Sequence, residues 1–183
     1  MKKAICLVVL MLGVLIGQQQ AGAITIFTAT LTGAQEVPPN ASAATGTATL
    51  TLNNAMDRLE IMVQLVGLDL LAMGTMPTDP NDVQAFHIHA APAGTNGSVV
   101  FGFISPNSDL NGDLVIDPVA ETLFTAWDLN EGNGGQTLAS QLGNLFSAGL
   151  YLNAHTPTFP GGEIRGQIIF QQQIPEPEST ALL

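Results

Sequence analysis

Arg58-Leu59-Glu60-Ile61-Met62-Val63-Gln64-Leu65 decides the fold. Its apolar residues, Leu59, Ile61, Val63 and Leu65, recur at every second position, the repeat of a strand with one face on a core and the other in water. Upstream, Ala48, Leu50 and Leu52 alternate with Thr47, Thr49 and Thr51, and Phe27, Ala29 and Leu31 alternate with Thr28, Thr30 and Thr32. Threonine and the β-branched aliphatics fit a pleated, half-buried surface. The same pattern predicts strands at 84–90, 98–104, 121–127, 150–155 and 163–170. Between them lie turn-forming clusters such as Pro77-Thr78-Asp79-Pro80-Asn81-Asp82 and Asn130-Glu131-Gly132-Asn133-Gly134-Gly135. Many short strands punctuated in this way predict an all-β protein, an antiparallel sandwich or barrel.

One stretch departs from period two. Leu138, Leu142, Leu145 and Phe146 follow i, i+4, i+7, i+8. They predict one short amphipathic helix over 136–148, packed on an end of the sandwich, with Gly149 at its C-terminal cap.

The first residues read as a secretory signal peptide. Lys2 and Lys3 precede the apolar run Ala4 to Gly17, and Ala21-Gly22-Ala23 is a small-residue cleavage site. The domain expected from Ile24 to Phe170 follows this leader, residues 1–23, and residues 171–183 are expected to form an unstructured tail. The apolar run is shorter than the roughly 20 residues of a membrane-spanning helix, so no transmembrane segment is expected in the mature chain. Its Cys6 is the only cysteine of the sequence, so the remainder has neither disulfides nor thiolate ligands. About 160 residues are enough for one domain with a sizeable core. The net charge is −11; without Lys2 and Lys3, Arg58 and Arg165 face the same 15 acids, a net charge of −13. Such a chain repels phosphate backbones, which excludes nucleic-acid binding.

The sequence holds three histidines, His87, His89 and His155. In Phe86-His87-Ile88-His89 the two imidazoles project from the same face of a strand, roughly 7 Å apart along the chain. In Tyr151-Leu152-Asn153-Ala154-His155 the third again stands opposite the apolar positions. Three imidazoles from two neighbouring strands can hold a metal, and copper or zinc suits them best, with water or a carboxylate as a fourth ligand. Glu163 and Arg165 alternate on the last expected strand. They are candidates either for an anion anchor near the histidines or for an internal ion pair, of Arg165 with Glu163, Glu36 or another acid, that closes the sandwich end. Asp109, Asn111, Asp113 and Asp117 space oxygen atoms like part of a calcium loop. That loop lacks the glycine after Asp113 and has Ala120 where a glutamate belongs, so an ordinary solvated turn is expected. No spacing indicates a nucleophile elbow, a phosphate-binding glycine loop or a glycosidase carboxylate pair.

Three blocks resemble the CHRD domain, first recognised in chordin and common in bacterial secreted proteins. They are Phe27-Thr-Ala-Thr-Leu-Thr-Gly-Ala-Gln-Glu36-Val-Pro38-Pro39; Phe86-His87-Ile88-His89 with Pro92-Ala-Gly94-Thr-Asn-Gly97; and Tyr151-Leu-Asn153-Ala-His155-Thr156 with Pro160-Gly161-Gly162-Glu163-Ile-Arg165-Gly166-Gln167. The resemblance spans Ile24 to Phe170 and departs from the pattern at the insertion Gly74 to Asp82 and near Asp109. It implies a Greek-key β-sandwich in a secreted, periplasmic or surface protein, and a non-catalytic module that binds a protein or matrix partner. A weaker resemblance is to copper–zinc superoxide dismutase, in which a Phe-His-x-His strand and a later histidine bind copper. His87, His89 and His155 match those positions, but the bridging histidine, the zinc cluster and the disulfide cysteines are missing. It implies a mononuclear copper or zinc redox protein as the alternative, and a purely structural envelope component needs no ligand at all. Finally, Ile174-Pro175-Glu176-Pro177-Glu178-Ser179 resembles the start of a PEP-CTERM sorting signal, without the apolar span and basic cluster that continue such signals.

Overall fold

The structure, a computed structural model, describes residues 23–175. Residues 1–22 of the expected leader and residues 176–183 of the sorting-like tail lie outside the described residues. Strands β1 (Ala23–Thr32), β2 (Thr45–Leu52) and β3 (Arg58–Val66) form an antiparallel meander. Their register aligns the alternation seen in the sequence: Phe27, Leu50 and Ile61 lie side by side on the inner face. Threonines of β2 and the polar residues of β3 face outward. Strands β4 (Ala85–Ala90) and β5 (Ser98–Ile104), then β6 (Val115–Asp117) and β7 (Thr122–Asp128), make two further antiparallel pairs. Helix α1 (Leu138–Phe146) leads into β8 (Leu150–His155), β9 (Ile164–Gln167) and β10 (Ile169–Pro175).

The strand order is β5-β4-β8-β9-β1-β2-β3-β7-β6, with β10 also paired to β1. The connections β3–β4, β5–β6 and β7–β8 each cross from one half of this order to the other, so strands adjacent in sequence are parted in space, as in Greek-key folds. The two halves meet where Thr32 of β1 pairs with Arg165 of β9. From that seam the sheet curls over one core, which takes Leu31, Leu50 and Ile61 from one half and Phe86, Ile88 and Leu152 from the other. Trp127 of β7 stacks on Phe101 of β5 across the core at 5.0 Å. The all-β sandwich with one short helix is therefore the observed architecture.

Four local features differ from the sequence reading. The helix is capped by Thr137, whose side chain accepts from Ser140 N–H while Ser140 returns the bond, a capping box that starts the helix two residues later than expected. At its other end the left-handed residue is Ala148, φ 54°, and Gly149 follows it, donating its N–H to Asn144 O at 2.7 Å. The strand expected at 163–170 breaks at Ile168, where the chain leaves β8 and moves onto β1. Residues 171–175, read from the sequence as part of an unstructured tail, continue β10 against Ala23–Ile26.

Candidate metal centre

On β4, Phe86 and Ile88 enter the core, which sends His87 and His89 to the opposite face. Strand β8 lies alongside with Ala85 opposite His155, His87 opposite Asn153 and His89 opposite Tyr151. Opposed residues of an antiparallel pair share a face, so the register alone brings the third histidine to the first two. Loops roof this outer face and bury it: His87 is 6% exposed and His89 9%, while His155 is half-buried. One ring nitrogen from each residue lies within 4.8 Å of the other two. It is the only such group of three or more histidine, cysteine or acidic side chains among the described residues.

Backbone carbonyls orient all three rings. His87 Nε2–H donates to Ser105 O at 2.8 Å, His89 Nδ1–H to Gly97 O at 3.0 Å, and His155 Nδ1–H to Pro160 O at 3.1 Å. A carbonyl can only accept, so each bonded nitrogen carries the proton and the other keeps its lone pair. Those other nitrogens, His87 Nδ1, His89 Nε2 and His155 Nε2, are buried and have no hydrogen-bond partner. Burial disfavours the imidazolium form of all three. It lowers His87 against the opposing carbonyls of Ser105 and Ile104. It lowers His89, opposed by Gly97 O and reinforced by the charges of His87 and Arg165. His155 is lowered to about 4, by burial first and then by His87. Burial thus favours the neutral form of all three rings, each with one buried nitrogen left without a partner.

A second layer stiffens it. The Tyr151 ring stacks on His89 at 4.9 Å and 10°, and the Arg165 guanidinium lies over the Tyr151 ring at 4.2 Å. Tyr151 Oη accepts from Gly97 N–H at 3.1 Å, so the β4–β5 turn that orients His89 is pinned by the residue that stacks on it. Arg165 donates to Asn96 Oδ1 and Thr95 O of the same turn. Glu36 and Asn153 lie beside this column, where a Cβ on Gly162 would come 2.8 Å from Glu36 Oε2 and from both polar atoms of Asn153. Burial raises the Glu36 carboxyl to about 7, against the pull of Arg165 and of the Val37 amide.

The remaining candidates separate from the cluster. Glu163 accepts from Ser42 Oγ at 2.6 Å and from Thr156 Oγ1, and the ion pairs found among the described residues all belong to Arg58. The expected pairing of Arg165 with an acid is therefore replaced by its stack on Tyr151. In the Asp109–Asp117 loop, Asp109 accepts from the backbone N–H of Asn111, Gly112 and Leu114. Asn111 Nδ2 donates to Asp128, and Asp117 accepts from Val119 and Ala120 N–H. Asp113 is engaged by Thr125, Ala126 and Arg58. The sequence reading passed over the orienting carbonyls of Ser105, Gly97 and Pro160, which no side-chain pattern announces. Period two puts Tyr151, four residues before His155, on the histidine face of β8, and that was the available signal for its role.

Fold and site together define a Greek-key β-sandwich whose outer face carries a cluster of three histidines, two buried and one half-buried. The CHRD domain family model matches residues 27–168, and the chain belongs to that family. No curated protein and no solved structure matches the chain.

Proposed function

We propose that this protein is an exported CHRD module that holds one copper or zinc ion between His87 Nδ1, His89 Nε2 and His155 Nε2, and that it serves as a non-catalytic binding module for a protein or matrix partner. The observation that carries the metal reading is the set of three buried lone pairs without donors. An unpartnered buried acceptor costs about 1–3 kcal/mol, and a Lewis acid satisfies three at once. Metal-bound imidazoles usually donate their other N–H to a carbonyl or carboxylate, and all three rings here do so. Nitrogen–metal bonds of about 2.0–2.1 Å require nitrogens roughly 3.3 Å apart. The present separations of up to 4.8 Å would have to shorten by about 1.5 Å on loading. Export is supported by the leader-like N-terminus and by the family, whose members are generally extracellular.

Metal analysis of protein isolated from the periplasm tests this. One equivalent of copper or zinc per chain, lost in His89→Ala, is the expected result; metal-free protein that takes up neither ion overturns it. Catalysed loss of superoxide by the loaded protein, abolished in His89→Ala, would replace the non-catalytic reading with a mononuclear redox one.

A further inference from the structure

We infer that the histidine centre selects monovalent copper over divalent ions. This deepens the proposed metal site and rests on it. Three observations converge on the lower charge. The donor set is three neutral imidazoles, and no carboxylate, thiolate or fourth histidine among the described residues reaches the group. A divalent ion there keeps its full double charge in a desolvated place, whereas a monovalent ion carries half of it. Zinc(II) on three histidines needs a water as its fourth ligand, which this buried face would have to admit, while copper(I), a soft d10 ion, is satisfied by three nitrogen donors.

A positive charge also lies close to the cluster. Arg165, 2% exposed, lies over the Tyr151 ring at 4.2 Å, and that ring stacks on His89 at 4.9 Å. Its guanidinium has no carboxylate within ion-pair distance among the described residues. At such a separation, an interaction screened by an effective dielectric of about 20 changes affinity by about tenfold for each unit of charge on the bound ion. Glu163, held by Ser42 and Thr156, and Glu36 do not join the histidines.

Anaerobic competition titrations of the chelator-stripped chain against ligands of known affinity, with copper(I), copper(II) and zinc(II) as separate probes, decide the matter. The expected result is one equivalent of each ion, with copper(I) held at least about tenfold tighter than either divalent ion. Arg165→Gln should narrow that margin by about tenfold, and Arg165→Lys, which keeps the charge, should preserve it. Copper(II) or zinc(II) bound as tightly as copper(I) overturns the selectivity and leaves the metal site standing. Failure of all three ions to bind overturns the site itself. An unchanged margin in a folded Arg165→Gln protein removes the role given to that charge.

Discussion

Metal-free protein should carry two opposed pH dependences that hide one another, and substitution of Glu36 should expose one of them. His155 titrates near 4 in the fold against 6.5 when unfolded. Its contribution to stability is therefore complete above pH 6.5 and is lost as pH falls through about 4. That separation is worth about 3 kcal/mol. Glu36 behaves in the opposite sense, moving from 4.5 to about 7 on folding. Its contribution is complete below pH 4.5 and is lost as pH rises through about 7, again by about 3 kcal/mol. Between about pH 4.5 and 6.5 the two slopes oppose each other. In Glu36→Gln the histidine slope stands alone, so stability should drop by about 3 kcal/mol on acidification from pH 7 to 4, relative to wild type. The lowered His87 and His89 act in the same direction. In His155→Asn the profile should tilt toward stability that falls as pH rises from 4.5 to 7, offset only by the remaining slopes of His87 and His89. Urea denaturation in the presence of chelator, at half-unit pH steps, reads both. A Glu36→Gln curve that stays parallel to wild type from pH 4.5 to 7 would refute the assignment of Glu36 as a buried, neutral-leaning carboxyl.

Tyr151→Phe keeps the stack on His89 and loses only the acceptor for Gly97 N–H. It should cost about 1–2 kcal/mol in urea denaturation and leave metal affinity near wild type. Tyr151→Leu removes the stack and should weaken metal binding by about ten- to a hundredfold in competition titrations. Gly166→Ala would place a Cβ 2.4 Å from Thr30 O at the seam between the sheet halves. The expected loss is about 2–3 kcal/mol in the same denaturation assay. Calcium titrated to millimolar levels should leave the near-ultraviolet circular dichroism unchanged, because Asp109, Asp113 and Asp117 already accept from backbone amides, Thr125 and Arg58.

The meander was readable because β1, β2 and β3 each expose one face, and period two then writes the register into the residue types. The gathering of the histidines was readable in part. His87 and His89 must share a face of any strand, and His155 stands opposite Leu152 and Ala154 on its own. That β8 would lie beside β4 required the long crossover through α1, which no local pattern encodes. Residues 171–175 of β10 were not legible as strand because Gln171-Gln172-Gln173 has no apolar alternation. Its side chains are exposed throughout, and it is placed by backbone pairing with β1. Strand β7 starts at Thr122 because Glu121 takes φ 53°, outside the extended range. The fate of Arg165 was hidden for a different reason. A charge two residues from Glu163 on one strand suggests an ion pair, but the packing of β9 on β8 puts the Tyr151 ring beneath the guanidinium instead. The orienting carbonyls were beyond reach, since every residue carries one and only the fold selects three.

The most direct test of the three-histidine centre is long-range 1H–15N NMR of the imidazole rings at pH 7, without metal and with one equivalent of zinc(II). Without metal, all three rings should be neutral, His87 protonated on Nε2 and His89 and His155 on Nδ1. Zinc should then shift His87 Nδ1, His89 Nε2 and His155 Nε2 together while the bonded N–H groups persist. Charged rings, the reverse tautomers, or zinc-induced shifts confined to fewer than three rings would contradict a centre built from all three.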